Sequence, residues 1–290
     1  MTTPTERTVC YIMSYSAHCP YLATSLLTLR RCWSGRVKVF AWAESIEIVR
    51  QLCEDKRIEA EAVLIVPSYR GKNDQFICKI QTMRQQETGP NLYLDADTLV
   101  NGSLTELFSN AQYFGFAATQ FCDWTTEGNL IRGRINRLKE FPKIDASLVD
   151  EVTTNIHPSV NGGVFACMPD SPVLPIWHEW SYEARSIFIC DECVLHLLVP
   201  MFEPTERMTV LPGIFNSSPK YVPQTETSRV RVWHGHGDCW VRPAKSREGW
   251  SMWHAQLQEV RRLNLGNIES WFRLVGNKYL DELIANGELG

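Results

Sequence analysis

Asn91-Leu92-Tyr93-Leu94-Asp95-Ala96-Asp97-Thr98-Leu99-Val100 is an apolar run broken by two carboxylates. Tyr93, Leu94, Leu99 and Val100 are strand formers, so residues 92–94 read as a buried central strand whose carboxyl end delivers Asp95 and Asp97 to an edge crevice. In open α/β sheets that crevice is where ligands bind. Two carboxylates one residue apart repel each other unless a cation lies between them, and hard oxygen donors suit Mg²⁺ or Mn²⁺. A metal carrying a diphosphate is the simplest occupant. The plainer alternative is that Asp-Ala-Asp caps a helix starting near Ser103. For an isolated Asp-x-Asp the plainer alternative is the commoner one, and the rest of the chain has to change the odds.

Outward from this stretch, strands and helices alternate. Residues 9–16, 37–42 and 62–67 read as strands, and residues 21–31 and 45–55 as the helices between them. This order implies a parallel, Rossmann-like sheet. A helix over 74–86 precedes the acidic stretch and carries Lys79 and Arg84, which do not share a helical face, so one of the two is expected at the crevice. A short helix is expected over 103–108, with Ser103-x-x-Glu106 as a capping box, then a strand over 113–119.

Residues 123–157 are polar and irregular in pattern, with Arg132, Arg134, Arg137, Lys139 and Lys143, and read as an insertion or lid. Its charges are a solvated face by default and an acceptor-binding surface in the functional alternative. Asn161-Gly162-Gly163-Val164-Phe165-Ala166-Cys167 returns to strand character, its glycines allowing close passage of a ligand. Residues 175–186 and 191–198 read as helices; Asp191 opens the second, either capping it or facing the pocket. Strands are expected over 208–211 and 229–233, the latter running into His234-Gly235-His236-Gly237-Asp238-Cys239-Trp240, a tight loop with metal-competent side chains. From Trp250 onward the pattern is of amphipathic helices.

With 290 residues, 44% of them hydrophobic, the chain can bury a large core. No apolar segment approaches a membrane span and no hydrophobic signal core follows the polar first residues, so a cytoplasmic location is expected. Ten cysteines lack a framework spacing. They are expected as reduced core thiols, since Cys190 and Cys193 have no second pair to complete a zinc site. A net charge of −4 leaves no global field to draw the protein onto nucleic acid, although a local basic patch at the insertion remains allowed.

The ordered set of a basic helix, Leu-Asp-Ala-Asp, Asn-Gly-Gly-Val, Asp-Glu-Cys-Val-Leu and a late strand with His-Gly-His-Gly resembles glycosyltransferase family 8, the family of glycogenin and the lipo-oligosaccharide galactosyltransferases. The resemblance covers about residues 9–240. It implies an α/β GT-A fold, with a Rossmann-like mixed central sheet flanked by helices. Residues 1–245 would form that domain, with 246–290 as a C-terminal helical extension. It also implies metal-dependent transfer of a hexose-type sugar from a nucleotide sugar, a UDP-sugar, to an acceptor hydroxyl with retention of configuration.

By the same resemblance Asp95, Asp97 and His234 are ligands of Mn²⁺ or Mg²⁺, and Lys79 lies against the donor sugar or phosphate. Asn161 and Gly162 lie beside the sugar, and Gly237 closes the His-x-x-Gly loop on the donor. Asp191 matches an acid near the anomeric carbon. Glu192 stands where the family has glutamine and is a second candidate for charge stabilisation. Where the family has Lys-Pro-Trp, with its diphosphate lysine, this chain reads Asp238-Cys239-Trp240-Val241-Arg242-Pro243, so either Arg242 or Lys245 substitutes for the lysine or the contact is absent. Tyr15 and Tyr21, with Ser14, occupy the region that holds the base and ribose, without the family's acid. A catalytically silent nucleotide-sugar-binding module and a nucleotidyltransferase are the alternatives; the second lacks its glycine-rich loop after the first strand. The acceptor is open among glycan, protein, small molecule and modified nucleic acid.

Overall fold

The structure, a computed structural model, describes residues 6–67, 70–71, 73–121, 131–154, 159–236, 239–240 and 245–268. The alternation read from the sequence is present. In chain order it runs β1 (Thr8–Met13), α1 (Cys19–Cys32), β2 (Arg36–Ala41), α2 (Ile46–Cys53), β3 (Glu61–Leu64), α3 (Asp74–Arg84) and β4 (Asn91–Leu94). There follow β5 (Thr98–Val100), α4 (Thr105–Phe114), β6 (Phe116–Gln120), α5 (Arg132–Asn136), α6 (Ala146–Thr154) and β7 (Val160–Cys167). The last elements are α7 (Val173–Glu183), α8 (Cys190–Phe202), β8 (Thr209–Leu211), β9 (Val232–His234) and α9 (Arg247–Arg262).

Seven strands form one sheet in the order β3-β2-β1-β4-β7-β6-β8, with β4 at its centre. The sheet is mixed: β2·β3 and β6·β8 run parallel, β4·β7 and β6·β7 antiparallel. All four residues of β4 are buried, as expected of a central strand covered on both faces. β5 and β9 stand apart as a two-stranded antiparallel ladder.

The chain divides into two compact units. The first comprises residues 1–9, 67–94 and 104–216, the second residues 10–66, 95–103 and 217–290. In the first, Phe165 of β7 stacks on Tyr93 at 5.1 Å and on Phe116 at 5.5 Å, and meets Trp177 of α7 edge-on at 4.9 Å. Fully buried rings in these offset and T-shaped arrangements supply much of that core. In the second unit, α1 buries Leu22, Leu26 and Leu29, and α9 presents Trp253, Leu257 and Val260 as one apolar stripe. The Trp253 indole donates to Thr24 Oγ1 on α1 at 3.1 Å, so its one polar atom is satisfied.

Several expectations change in detail. The helix expected over 103–108 begins at Thr105 and runs on to Phe114, so Tyr113 is helical and β6 starts only at Phe116. Leu104, one residue after Ser103, holds the cap position. The helix ends at Gly115, whose φ of 82° is open to glycine at no steric cost. The segment expected to be irregular is helical over α5 and α6 where described; residues 122–130 and 155–158 lie outside the described residues. Its lysines face acids: Lys139 pairs with Asp150, and Lys143 with Glu179 and Glu183. The strand expected over 229–233 is shorter and later, because Gln224–Arg229 is a 3-10 turn. Of the C-terminal extension, α9 and the turn Leu265–Asn267 are described.

Candidate functional site

The acidic stretch sits where the chain leaves β4. Asp95-Ala96-Asp97 is a turn, not a helix cap, and leads into β5. β5 pairs with β9 in the register Thr98↔His234, which carries His234 to the turn across 136 residues of sequence. His234 Nε2 lies 3.2 Å from Asp97 Oδ1 and 3.6 Å from Asp95 Oδ2. One donor atom from each of the three residues falls within 4.8 Å of the others. Donors around an octahedral ion at roughly 2.1 Å lie about 3–4 Å apart, so two carboxylates and an imidazole at this spacing fit Mn²⁺ or Mg²⁺.

The turn is clamped through its backbone. Thr98 Oγ1 donates to the Asp95 carbonyl at 2.8 Å, which leaves the Thr98 oxygen to accept from Ser25 at 3.0 Å and Ser25 to accept from the Tyr11 hydroxyl at 3.0 Å. On the other side the Asp97 carbonyl accepts from Gly235 N at 2.9 Å and from Trp240 Nε1 at 2.6 Å. A Cβ on Gly235 would lie within 3.0 Å of the Trp240 ring, so the position requires glycine. Trp240 is thus a buried support of the turn, 1% exposed.

Burial pushes the Asp97 carboxyl up, but His234 by charge and hydrogen bond, then His236 and His18 by charge, outweigh it and hold the group down at about 2. Asp97 is therefore ionised across the neutral range. His236, whose ring lies 3.7 Å from that of His234, is held well below the usual imidazole range by burial and by His234. The sequence marked the His-Gly-His-Gly loop but gave no role to His236, and it missed His18. His18 lies in the 3-10 turn Ser16–His18, where its ring meets Tyr15 at 6.1 Å and Tyr21 at 6.2 Å. Tyr15 is 44% exposed and leans edge-on against Trp42; Tyr21 packs on Trp253. Gly237 and Arg242 lie outside the described residues, and Lys245 is exposed.

The remaining candidates gather in the first unit. α8 starts with Ile189 in the left-handed region, φ 53°, a strained conformation for a β-branched residue and one that recurs at functional positions. Asp191 and Glu192 follow in the first turn, at the positive end of the helix dipole. Ile189 occupies the cap position itself, and Asp191 complements the dipole from the first turn. Its backbone carbonyl accepts from Trp177 Nε1 at 2.7 Å, and its carboxylate forms a buried ion pair with Lys79. Lys79 also donates to Gly162 O at 2.9 Å. A Cβ on Gly162 would stand 2.9 Å from both Asp191 Oδ2 and Lys79 Nζ, so glycine here makes room for the pair. Arg84 turns away to His178 Nδ1 at 3.0 Å, as its separate helical face requires. Glu192 is half-buried and accepts from Asn161 Nδ2 at 2.7 Å.

No protein-family model and no curated protein matches the sequence. Solved structures do match in fold. The glycosyltransferase GlyE of Streptococcus pneumoniae TIGR4 aligns at 15% identity and a TM-score of 0.53, over 90% of this chain and 64% of that one. The galactosyltransferase LgtC, in complex with donor and acceptor sugar analogues, aligns at 15% identity and TM-score 0.55, over 87% of this chain and 95% of that one. An LgtC variant with an active-site glutamine changed to glutamate gives 13% identity and TM-score 0.58 over the same shares. The chain has the GT-A glycosyltransferase fold that its ordered motifs led us to expect. Among the described residues no helix is long and apolar enough to cross a membrane.

Proposed function

We propose that this protein is a metal-dependent glycosyltransferase that moves a hexose-type sugar from a nucleotide sugar, a UDP-sugar, to an acceptor hydroxyl with retention of configuration. The observation that carries the proposal is the convergence of Asp95, Asp97 and His234, in a chain with this fold. These three residues would hold Mn²⁺ or Mg²⁺. When bound, the ion supplies Lewis-acid stabilisation of the diphosphate leaving group. The clamps on the Asp95 and Asp97 carbonyls hold the ligands in place in advance.

Asp191 and Glu192 divide the work at the sugar. The Asp191 charge is already answered by Lys79, which makes it a poor nucleophile and suits it to holding the first turn of α8 in place. Glu192, the next residue, is half-buried and is held by a neutral amide, accepting from Asn161 Nδ2. We assign Glu192 the stabilisation of positive charge developing at the anomeric carbon, and Lys79 the fixing of Asp191 and of the Gly162 carbonyl beside it. LgtC was also solved with glutamate in place of an active-site glutamine. In this chain glutamate is the natural residue after Asp191, which fits a stabilising carboxylate there.

The test is release of nucleoside diphosphate from a panel of nucleotide sugars, with Mn²⁺ and with EDTA. One donor should turn over with metal only, and Asp97→Ala should lower the rate by about 100-fold or more while the far-UV spectrum is unchanged. Turnover that survives both EDTA and Asp97→Ala would remove the metal assignment. Failure of every donor in every metal would favour a silent binding module.

A further inference from the structure

We infer that Asn216 is a positioning residue for Glu192, acting through Asn161 and supported by Thr119. The inference deepens the transferase reading and rests on it for its consequence in rate.

The hydrogen bonds among these groups can run in only one direction. The Val164 carbonyl can only accept, so Thr119 uses its single hydroxyl proton on it, at 2.7 Å. The Thr119 oxygen must then accept from Asn216 Nδ2, at 2.9 Å. The same Asn216 amino group donates to Asn161 Oδ1 at 3.1 Å, where the Gly163 backbone N–H also donates at 2.7 Å. Two donors on one side of the Asn161 amide fix which end is oxygen. Its amino group is thereby aimed at Glu192 Oε2. Thr119 and Asn216 are fully buried and Asn161 is 8% exposed, so water does not compete for these bonds.

The backbone is shaped to make this arrangement. The β6·β7 ladder pairs Ala118 with Phe165 but Thr119 with Asn161, so the register slips between two adjacent residues of β6. Irregularities of this kind re-aim a side chain, and here the slip sets Thr119 opposite Asn161. The Val164 carbonyl is met by the Thr119 hydroxyl. The further arm, from Asn216 through Asn161, ends on a half-exposed carboxylate in the first turn of α8 beside Asp191, and its effect is to hold that carboxylate in one orientation.

The experiment uses the full chain and the variants Asn216→Asp, Thr119→Val and Thr119→Ser. Solvent exchange of the Asn161 side-chain amide, read by NMR with ¹⁵N-asparagine labelling, reports the relay independently of activity. Steady-state rates on the donor identified above report its consequence. Asn216→Asp removes the donor to Asn161, so amide exchange should speed up markedly, and kcat should fall by about tenfold to 100-fold with KM for the donor unchanged. Thr119→Val should show the same pattern, more weakly, and Thr119→Ser should restore both readouts. A folded Asn216→Asp protein with unchanged exchange and unchanged kcat would overturn the inference. So would a loss of thermal stability in both Asn216→Asp and Thr119→Val without faster exchange. If wild type turns over no donor, the transferase reading fails, while the exchange rates still decide whether Asn216 orders Asn161.

Discussion

Lys79 and Asp191 show how far a single residue can be read before its neighbours are known. Both sit in sequence contexts that mark them, a basic residue one helix before the acidic stretch and an acid at the start of an apolar helix. What the sequence does not show is that they meet, at 4% and 2% exposure. Burying two charges costs several kcal/mol each, and removing one partner strands the other. Lys79→Met should therefore destabilise the fold by about 3–5 kcal/mol in urea titration, and adding Asp191→Asn should recover most of that loss. A cost under about 1 kcal/mol for Lys79→Met would mean that water already reaches the pair. Glu192 was legible as a departure from a glutamine. Its partner was not, because Asn161 reaches it through a register slip that no local pattern of β6 or β7 records.

Among elements, strands proved as long as their partners allow. Val230 and Val232 alternate as a strand should, yet β9 covers Val232–His234, the three residues that pair with β5. The sequence carried β9's chemistry but not its length. α4 is the opposite case: Tyr113 favours strands, but the helix continues to the stop at Gly115, a signal present in the sequence. The end of α2 carries a pH-sensitive tie. Asp55 accepts from Arg57 by backbone and side chain and from Gly266 N at 3.2 Å, and Arg57 Nη1 reaches Leu263 O at 2.6 Å. The Arg57 hydrogen bond is the main cause of an Asp55 carboxyl held at about 2, against 3.8 when unperturbed. A depressed folded-state carboxyl contributes stability that is complete above the unfolded value and is lost as pH falls through the folded one. With Arg57 partly exposed, we expect about 1–2 kcal/mol to disappear between roughly pH 5 and pH 2. Asp55→Asn should flatten that part of the stability–pH curve, and an unaltered curve in the variant would assign the acid sensitivity elsewhere.

For the whole molecule, alternation of strand and helix implied a parallel Rossmann-like sheet, and the mixed GT-A architecture, with β7 antiparallel to both neighbours, was expected only through the ordered motifs. The alternation carries no mark of where the chain passes between its two units, at 9/10, 66/67, 94/95, 103/104 and 216/217. The division matters for metal binding, since Asp95, Asp97 and His234 all belong to the second unit, whereas Lys79, Asn161, Asp191 and Glu192 belong to the first. Mn²⁺ at a hundred times its dissociation constant stabilises whatever cooperative body contains its ligands by about 2.7 kcal/mol. For a chain of this size that corresponds to a rise of roughly 4–5 °C in the unfolding midpoint. Because the segments of the two units interleave in the chain, we expect a single transition to move as a whole. Two transitions with only one displaced would instead mean that the units unfold separately. Asp97→Ala should abolish the rise, and Asp191→Asn, though less stable at the start, should keep it in full. A wild-type midpoint indifferent to Mn²⁺ and Mg²⁺ would remove the metal from the proposed reaction, whatever the fold resembles.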